Sequence, residues 1–598
     1  MAEFKNPNQQ AGGDNKSLLV MMLVMVTVFF GLQYFRSKHN PQTALPNASS
    51  NPAQIAPPQT GAPSTAPATG SSAATSLPTV AAAAESTTTV ENELYRITFS
   101  NRGGQVASWI LKNYKDTDGK PLDLVHQEAA QKFGYPLSLY TYDAALTSTL
   151  TRALYVPSST GLLAAPATLT FNYSDGATQV RKTFSFDETY VLHADVQVTR
   201  NGTPVRALLN WPGGFGDQDN AVAYSGAKID VSRNTKEQHI DPKKVSGGET
   251  LNGPFDWAGV SDNYFAAVFL PDSPDTASVA TLYNKLDVAK TIRRNGLGSG
   301  APAKGAIEVP ILGAAMGDTS GRTQLRIYGG PKAVNVLEAI HSAGNTTTLA
   351  PLLDFGFFGP IGKYLFLSLQ FIHAHVVANW PGSWGWAIII LTLLINLLIL
   401  PFRIKTMQSG LKMQRIQPQM DAIKERYKKY KATDPKRNEM NVEIMKLQKD
   451  NGVNMFGGCI PTLITLPLLF AFFTMLRSVV ELRQAHWFWL PDLAAADPYH
   501  ILPIVMVVSQ FLVQFYTPSP GVDPQQQKMM AFMMPAVSGY MTWNYASGLA
   551  LYWTIGNLIS ILQQTVMNRT SIGREMREIA AKRARRKAGV GTTIQGKR

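Results

Sequence analysis

The spacing of apolar residues changes several times along the chain, and each change marks a different kind of element. SLLVMMLVMVTVFFGLQYF, Ser17 to Phe35, is apolar almost throughout. It is longer than a signal-peptide core and has no small-residue cleavage site directly after it, so it reads as an uncleaved membrane anchor. Residues 40–90 contain no Lys, Arg or aromatic residue and are dominated by Pro, Ala, Ser and Thr. Such a stretch cannot bury enough apolar surface to order itself, which makes it a linker. From about Leu94 to Ile340 the period is two. ELYRITFS, LTFNY, VRKTFSF and TQLRIYGG alternate in this way, between turn signals such as NRGG, SDG, RNG and WPGGFG. Many short strands with glycine turns predict a β-sandwich.

After residue 350 the period becomes helical. In GPIGKYLFLSLQFIHAHV, Ile361, Leu365, Leu369, Ile372 and Val376 recur on one face, as in a helix lying in the membrane interface. Three tryptophans follow in NWPGSWGW, a composition suited to a membrane boundary. Five apolar runs then predict core spans at Trp384–Pro401, Cys459–Val480, Ile501–Tyr516, Met529–Trp543 and Leu549–Met567. A sixteen-residue span reaches only about 24 Å at 1.5 Å per residue, so a locally thinned bilayer is expected.

Between the first two core spans, Met413, Ile416, Met420, Ile423, Tyr427 and Tyr430 form a heptad seam. Pro418 falls inside it and is expected to kink or restart that helix. Asp434 followed by Pro435 reads as a cap and first turn for a second helix, with Met440, Ile444 and Leu447 on one face. The pair predicts a helical hairpin, serving either as a simple connector or as a docking element.

Charge sets the orientation. The formal net charge is +14, yet residues 403–450 carry thirteen Lys/Arg against six Asp/Glu, and residues 569–598 carry ten against two. The two segments together hold all the excess. Both are expected in the cytoplasm, and the span count then places both termini inside and the β-rich region outside. The tail cluster Lys582, Arg583, Arg585, Arg586 and Lys587 suits a polyanion, either anionic lipid or ribosomal RNA.

Chemistry is sparse. The single cysteine, Cys459, excludes an internal disulfide framework, and the nine histidines show no metal-binding spacing. His193 lies on the polar side of VLHADVQV, where water is expected. No cofactor is expected. The informative feature is polar residues inside apolar spans: Thr392 and Asn396 in the first, Thr462 and Thr465 in the second, Ser509, Gln510 and Gln514 in the third, and Ser560, Gln563 and Gln564 in the last. All sit toward the cytoplasmic ends, whereas Thr474 and Ser538 do not. An amide in hydrocarbon is costly unless satisfied. The concentration in one leaflet therefore predicts a cavity open to the cytoplasm, with Asn396 facing its water.

NMFGGCIPTLITLPLLFAFFTMLRSVVELRQA, DPYHILPI, DPQQQKMMAFMMP and SGLALYWTIGNLISILQQ resemble the YidC-type membrane protein insertase family over roughly Phe355–Asn568. The anchor and large β-rich region resemble its Gram-negative form. The resemblance implies a polytopic α-helical membrane protein of six transmembrane helices, a five-helix insertase core, a cytoplasmic helical hairpin and a large periplasmic β-sandwich (β-supersandwich) domain related to sugar-binding folds. The expected layout is a cytoplasmic N-terminus at 1–16, an anchor at 17–35, a linker at 36–92 and a periplasmic domain at 93–345. An interfacial helix at 355–378 and a core at 384–567 follow, with the hairpin at 403–455 and a basic tail at 568–598.

The implied activity is insertion of newly made proteins into the bacterial inner membrane, without covalent catalysis. The implied partners are nascent membrane proteins, the Sec translocon, the ribosome with its signal-recognition targeting machinery, and anionic lipids. Family members carry an arginine in the groove of the first core span. Thr392–Pro401 aligns Asn396 with it, so the resemblance implies a groove without that charge here. Two other classes stand beside this one: a secondary transporter, which needs mid-membrane ionisable groups, whereas the core spans have no acidic residue before Glu481 at a boundary, and a membrane-anchored periplasmic sugar-binding protein.

Overall fold

The computed structural model describes residues 78–579 apart from 219–222, 241, 246–247, 290–305, 346, 431–433, 454–459 and 517–523, together with 581, 582 and 585. The expected anchor at 17–35 and most of the expected linker lie outside the described residues.

Strands fill residues 87–331 in three sheets. A five-stranded sheet runs from Pro121–Asp123 through Gln105–Lys115, Tyr95–Ser100 and Thr87–Glu91 to Gly161–Ala164. A ten-stranded sheet has Phe265–Pro271, Arg322–Pro331, Val191–Arg200 and Thr178–Phe186 at its centre. A third, five-stranded sheet is built on Ala277–Ala289 paired antiparallel with Ala306–Asp318. The period-two pattern has its expected cause: Ala194, Val196 and Val198 are buried, while His193 and Gln197 face outward. One apolar core joins the sheets, with Trp109 of the first 5.9 Å from Trp211 of the third. The ten-stranded sheet presses on the same indole, since a Cβ at Gly329 would lie 2.6 Å from it.

The expected linker end at residue 92 needs correction. Thr87–Glu91 is a strand paired with Tyr95–Ser100 and with Gly161–Ala164, and Val80 already bridges Ser174. A threonine run suits an extended, half-buried strand, and a composition criterion cannot tell it from a Thr-rich linker. At the far end Leu349 and Leu352 are fully buried in the same core, so the domain continues past the expected boundary at 345.

Lys182 is buried within this domain. Its Nζ donates to the carbonyls of Gly104 and Leu137 at 2.6 Å and of Gly103 at 3.2 Å. The three carbonyls match the donors of the charged amine, a form that burial disfavours by pushing the group down to about 7.

The helices of the second region are α1 (Gly359–His375), α2 (Ser383–Arg426), α3 (Lys436–Asp450), α4 (Ile460–Ser478), α5 (Ile501–Tyr516), α6 (Pro524–Trp543) and α7 (Ser547–Arg569). On α1, Leu365, Leu369 and Ile372 pack inward as expected, but Val376 is exposed. The opposite face carries Tyr364, Leu367 and Phe371 outward, so the helix is apolar on both sides. Of the tryptophans beyond it, Trp386 meets Trp380 and Trp487, and Gly385 leaves no room for a Cβ beside Trp487.

α2 differs from expectation. It is one helix of 44 residues that contains both Pro401 and Pro418, so the span does not end at the first and the helix does not restart at the second. A proline removes one backbone donor and leaves the ridge of side chains on either side in register. The seam survives through it: Ile416, Met420 and Ile423 are buried, Met413 is partly buried, and Met440, Ile444 and Leu447 of α3 lie opposite. Tyr427 and Tyr430 fall just beyond the helix and pack on each other at 6.2 Å. Asp434 Oδ1 accepts from the Lys436 amide at 2.9 Å, and Pro435 already has helical φ, as the Asp-Pro pair requires. Among the described helices only α2 is long and apolar enough to cross a membrane; Thr465–Ser478 and Ile501–Phe515 are shorter apolar stretches.

The turn Val480–Leu482 after α4 joins the two regions, since Val480 belongs to the β-rich core and Leu482 to the helical core. Glu481 between them has its carboxyl pushed up to about 7 by burial. A folded-state value above the ordinary one means that the folded chain holds the proton more tightly. Stability is therefore lost as pH rises from about 4.5 to 7 and stays low above that. The melting midpoint should accordingly fall between pH 5 and 8, and by less in Glu481→Gln. Equal falls in the two proteins would remove Glu481 from the account.

Candidate functional site

The polar residues of the spans gather where α2 meets α7. Thr392 Oγ1 donates to the Ile388 carbonyl at 2.6 Å, and Asn396 Nδ2 to the Thr392 carbonyl at 2.8 Å. Both side chains turn back onto their own helix, which satisfies their donors inside an apolar bundle. Asn396 is 7% exposed, so it does not stand in open water as expected; protein groups satisfy it instead. Its Oδ1 accepts from Arg403 Nη2 at 3.3 Å, and the Nη1 of the same guanidinium donates to Ser560 Oγ at 2.9 Å and Gln563 Oε1 at 2.7 Å. Gln563 Nε2 reaches back to the Asn396 carbonyl at 3.4 Å.

Asn396, expected to stand without a neighbouring cation, has one beside it. Arg403 supplies the cation seven residues beyond Asn396, two helical turns along the same face. Among the described residues its partners are hydroxyls and amides, with no carboxylate in ion-pair reach. Its charge is hydrogen-bonded but not neutralised.

A second layer lies deeper between α5 and α7. Asn557 Nδ2 donates to Ser509 Oγ at 3.0 Å, and Trp553 Nε1 to Gln510 Oε1 at 3.3 Å. Thr554 Oγ1 is buried beside them without a hydrogen-bond partner. The structure thus joins Asn396, Ser560 and Gln563 around Arg403, with Thr392 one turn before Asn396, and Ser509 and Gln510 against α7. Gln564 instead turns along its helix to Asn568 at 2.8 Å. Gln514 is half-buried one turn beyond Gln510, and Thr465 is half-buried on α4. The Thr462 side chain lies outside what is described. Thr474, which had broken the leaflet pattern, donates to the Phe355 carbonyl at 2.8 Å and so holds the segment entering α1.

Sequence reasoning missed Arg403, Trp553, Thr554 and Asn557. Thr554, Asn557, Ser560 and Gln564 fall at spacings of three, three and four, a helical face legible in the sequence. Arg403 was hidden because it follows Pro401 and was counted with the basic loop.

In the tail, residues 571–579 form a further helical stretch held to α2 by Arg415 and Glu575 at 2.5 Å, with Met576 buried. Lys582 and Arg585 are exposed; Arg583, Arg586 and Lys587 lie outside the described residues.

The β-rich domain holds a serine, an aspartate and a histidine together, but in the wrong order for catalysis. Ser261 Oγ donates to Asp230, and His239 Nδ1 contacts the other oxygen of that carboxylate at 2.5 Å. The histidine never reaches the hydroxyl it would have to deprotonate. Burial opposes the charge of Asp230, but His239, Lys228 and Lys332 outweigh it and hold the carboxyl at about 2.

Among the described residues a β-rich domain is packed on a helical core that has one helix of membrane-crossing length and a hydrogen-bonded polar cluster around Arg403, an arrangement that suits an integral membrane protein. A family described as 60Kd inner membrane protein matches residues 376–574, and one described as YidC periplasmic domain matches residues 87–368. The membrane protein insertase YidC of Geobacter sulfurreducens is 32% identical over 490 residues, which cover 80% of this chain and 85% of that one. That of Pelobacter propionicus is 31% identical over 592 residues, covering 93% and 99%. A crystal structure of active YidC insertase with its first transmembrane domain resolved aligns with 82% of this chain and 95% of its own, at 16% identity and a TM-score of 0.31. The chain belongs to the YidC family of membrane protein insertases.

Proposed function

We propose that this member inserts newly made inner-membrane proteins through the cleft between α2 and α7, with Arg403 as the cation that receives the polar leading segment of a client. The observation that carries the reading is a guanidinium seated in the bundle on partners that, among the described residues, are all neutral. A charged residue crossing hydrocarbon costs roughly 2.5–3.5 kcal/mol on insertion scales. A polar cleft reaching part-way lowers that cost, and lateral release of the apolar span into lipid completes the transfer without nucleotide hydrolysis. The test is purified protein in liposomes with a single-span client: protease-protected client supports the reading, whereas solute flux without insertion supports a transporter.

The orientation proposed from charge has both termini and the α2–α3 hairpin in the cytoplasm, the β-rich domain in the periplasm and six spans in the inner membrane. Cysteines replacing His193 and Lys436, in a Cys459→Ser background, report it. An impermeant thiol reagent applied from outside should label the first and spare the second; the opposite pattern overturns the orientation.

The Sec translocon, the ribosome with its targeting machinery, and anionic lipids are the proposed partners, with the basic tail as the polyanion contact. Truncation after Ile579 keeps the Arg415–Glu575 contact and removes the cluster. Ribosome binding by the intact chain should fall by up to roughly 100-fold between about 50 and 200 mM salt, and the truncated chain should lose most of that slope. Equal slopes would leave the cluster a topology signal only.

A further inference from the structure

The seam between the β-rich domain and the helical core holds one short clasp, beside the Lys363–Glu338 ion pair at 3.1 Å and Val334 packed into the helical core. Arg483 Nη1 donates to the Lys115 carbonyl at 2.5 Å, and Gln484 Nε2 donates to the Lys115 and Asp116 carbonyls at 3.2 and 2.8 Å. Lys115 ends a strand of the first sheet, so loop side chains clasp the backbone of the opposing domain. The guanidinium also lies 5.6 Å from the Phe265 ring and 6.0 Å from Tyr264. Val480 and Leu482 plug into the two cores on either side.

Carboxyls crowd this clasp. Asp217 and Asp262 lie within hydrogen-bond reach of one another, and among the described residues Asp217 Oδ1 and Asp262 Oδ2 are buried oxygens without a donor. Two carboxylates cannot bond to each other; a single proton between them satisfies both oxygens. Asp262 uses its other oxygen to accept the amides of Tyr264 and Phe265 at 2.7 Å. From the core side come Glu481 and Asp492, the latter accepting the Ala494 amide at 2.7 Å. The phenols facing this group are Tyr114 and Tyr264. The cations are Arg483, which acts on Asp217 and Asp492, and Lys332, whose Nζ donates to the Asp262 carbonyl at 2.9 Å. Lys332 is shared with Asp230 and Asp354, and His239 and Lys228 belong to that neighbouring set. Three carboxyls, of Asp217, Asp262 and Asp492, therefore lie near one guanidinium and a shared lysine, and Glu481 sits two residues before that guanidinium in the chain. Burial raises Asp217, Glu481 and Asp492 alike, in keeping with the surplus of acid.

We propose that this seam is a proton-dependent latch: the β-rich domain is docked on the core while a proton bridges Asp217 and Asp262 and Glu481 is neutral, and it is released when those protons are lost. With the domain placed outside the inner membrane, the latch responds to the pH of the surrounding medium. Release exposes the Lys115–Asp116 edge and frees the outer end of α4.

Spin labels on cysteines replacing His193 in the domain and Tyr499 in the core, both exposed, read the docking in the full chain with Cys459→Ser. The inter-label distance should be narrowly distributed at pH 6 and broad at pH 9. Asp217→Asn together with Glu481→Gln should keep it narrow at both, since an amide donates where the proton did. Arg483→Ala should broaden it at both. A distribution equally narrow at pH 6 and 9 in the parent overturns the latch, whatever the variants do. So does an alkaline broadening that persists unchanged in the double variant. The parent pH series stands alone if a variant fails to accumulate.

Discussion

Replacing Arg403 with Gln should lower insertion of clients with acidic leading segments by about tenfold or more, and change clients with neutral leading segments by less than about twofold. A charge-assisted hydrogen bond contributes roughly 1.5–3 kcal/mol, and about 1.4 kcal/mol is a factor of ten. Arg403→Lys should recover only part of the activity, because a point charge cannot span Ser560, Gln563 and Asn396 as the planar fork does. Asn396→Arg in the Arg403→Gln background tests position as well as charge. The two sites lie about 10.5 Å apart along one helix face, so a cation at Asn396 should restore much of the acidic-client activity. The readout is the protease-protected fraction of each client in liposomes. Equal losses for acidic and neutral clients would make Arg403 a structural strut. No loss for either would remove it from the insertion path.

Lys182→Met should destabilise the β-rich domain by at least roughly 3 kcal/mol, since each of three buried carbonyls left without a donor costs about 1–3 kcal/mol. The side-chain volume is nearly kept, so a cavity explains little of the loss. What remains is three buried carbonyls, of Gly103, Gly104 and Leu137, without a donor. For a domain of this size about 1 kcal/mol moves the melting midpoint by roughly 2–4 °C, so a fall of at least about 6 °C is expected. Hydrogen exchange should rise first around residues 101–104 and 137–139, where the lysine ties two loops to the sheet. A midpoint unchanged within about 2 °C would mean that those carbonyls find other donors.

The course of the chain was legible wherever one physical rule acted alone. Alternation at Val191–Arg200 gave the strand and the outward His193, and heptad spacing gave the Ile416–Met420–Ile423 seam. Where two rules compete, pattern alone misleads. Thr87–Glu91 has linker composition and strand propensity at once, and only its partners on both sides settle the choice. Pro401 reads as a stop, yet surrounding contacts carry the helix through it. The polar cluster between α2 and α7 was legible as a set of hydroxyls and amides toward one end of the apolar spans. Its cation was not, because a basic residue next to a basic loop looks like solvent-facing charge until Ser560 and Gln563, more than 150 residues away, are seen to hold it.

The unbroken α2 makes the hairpin and the cleft parts of one rod. At 1.5 Å per residue its 44 residues extend about 66 Å, more than twice the ~30 Å hydrocarbon thickness. Roughly half of its length exceeds one crossing, and α3 and the tail stretch are fastened to the C-terminal half. A load on the hairpin therefore acts as a torque on the wall that carries Asn396 and Arg403. The two prolines set where the rod yields. Each leaves one carbonyl of the preceding turn without its helical partner, at Leu397 and at Gln414. The first of these lies beside Asn396, so a bend there would open or pinch the cleft at its cation.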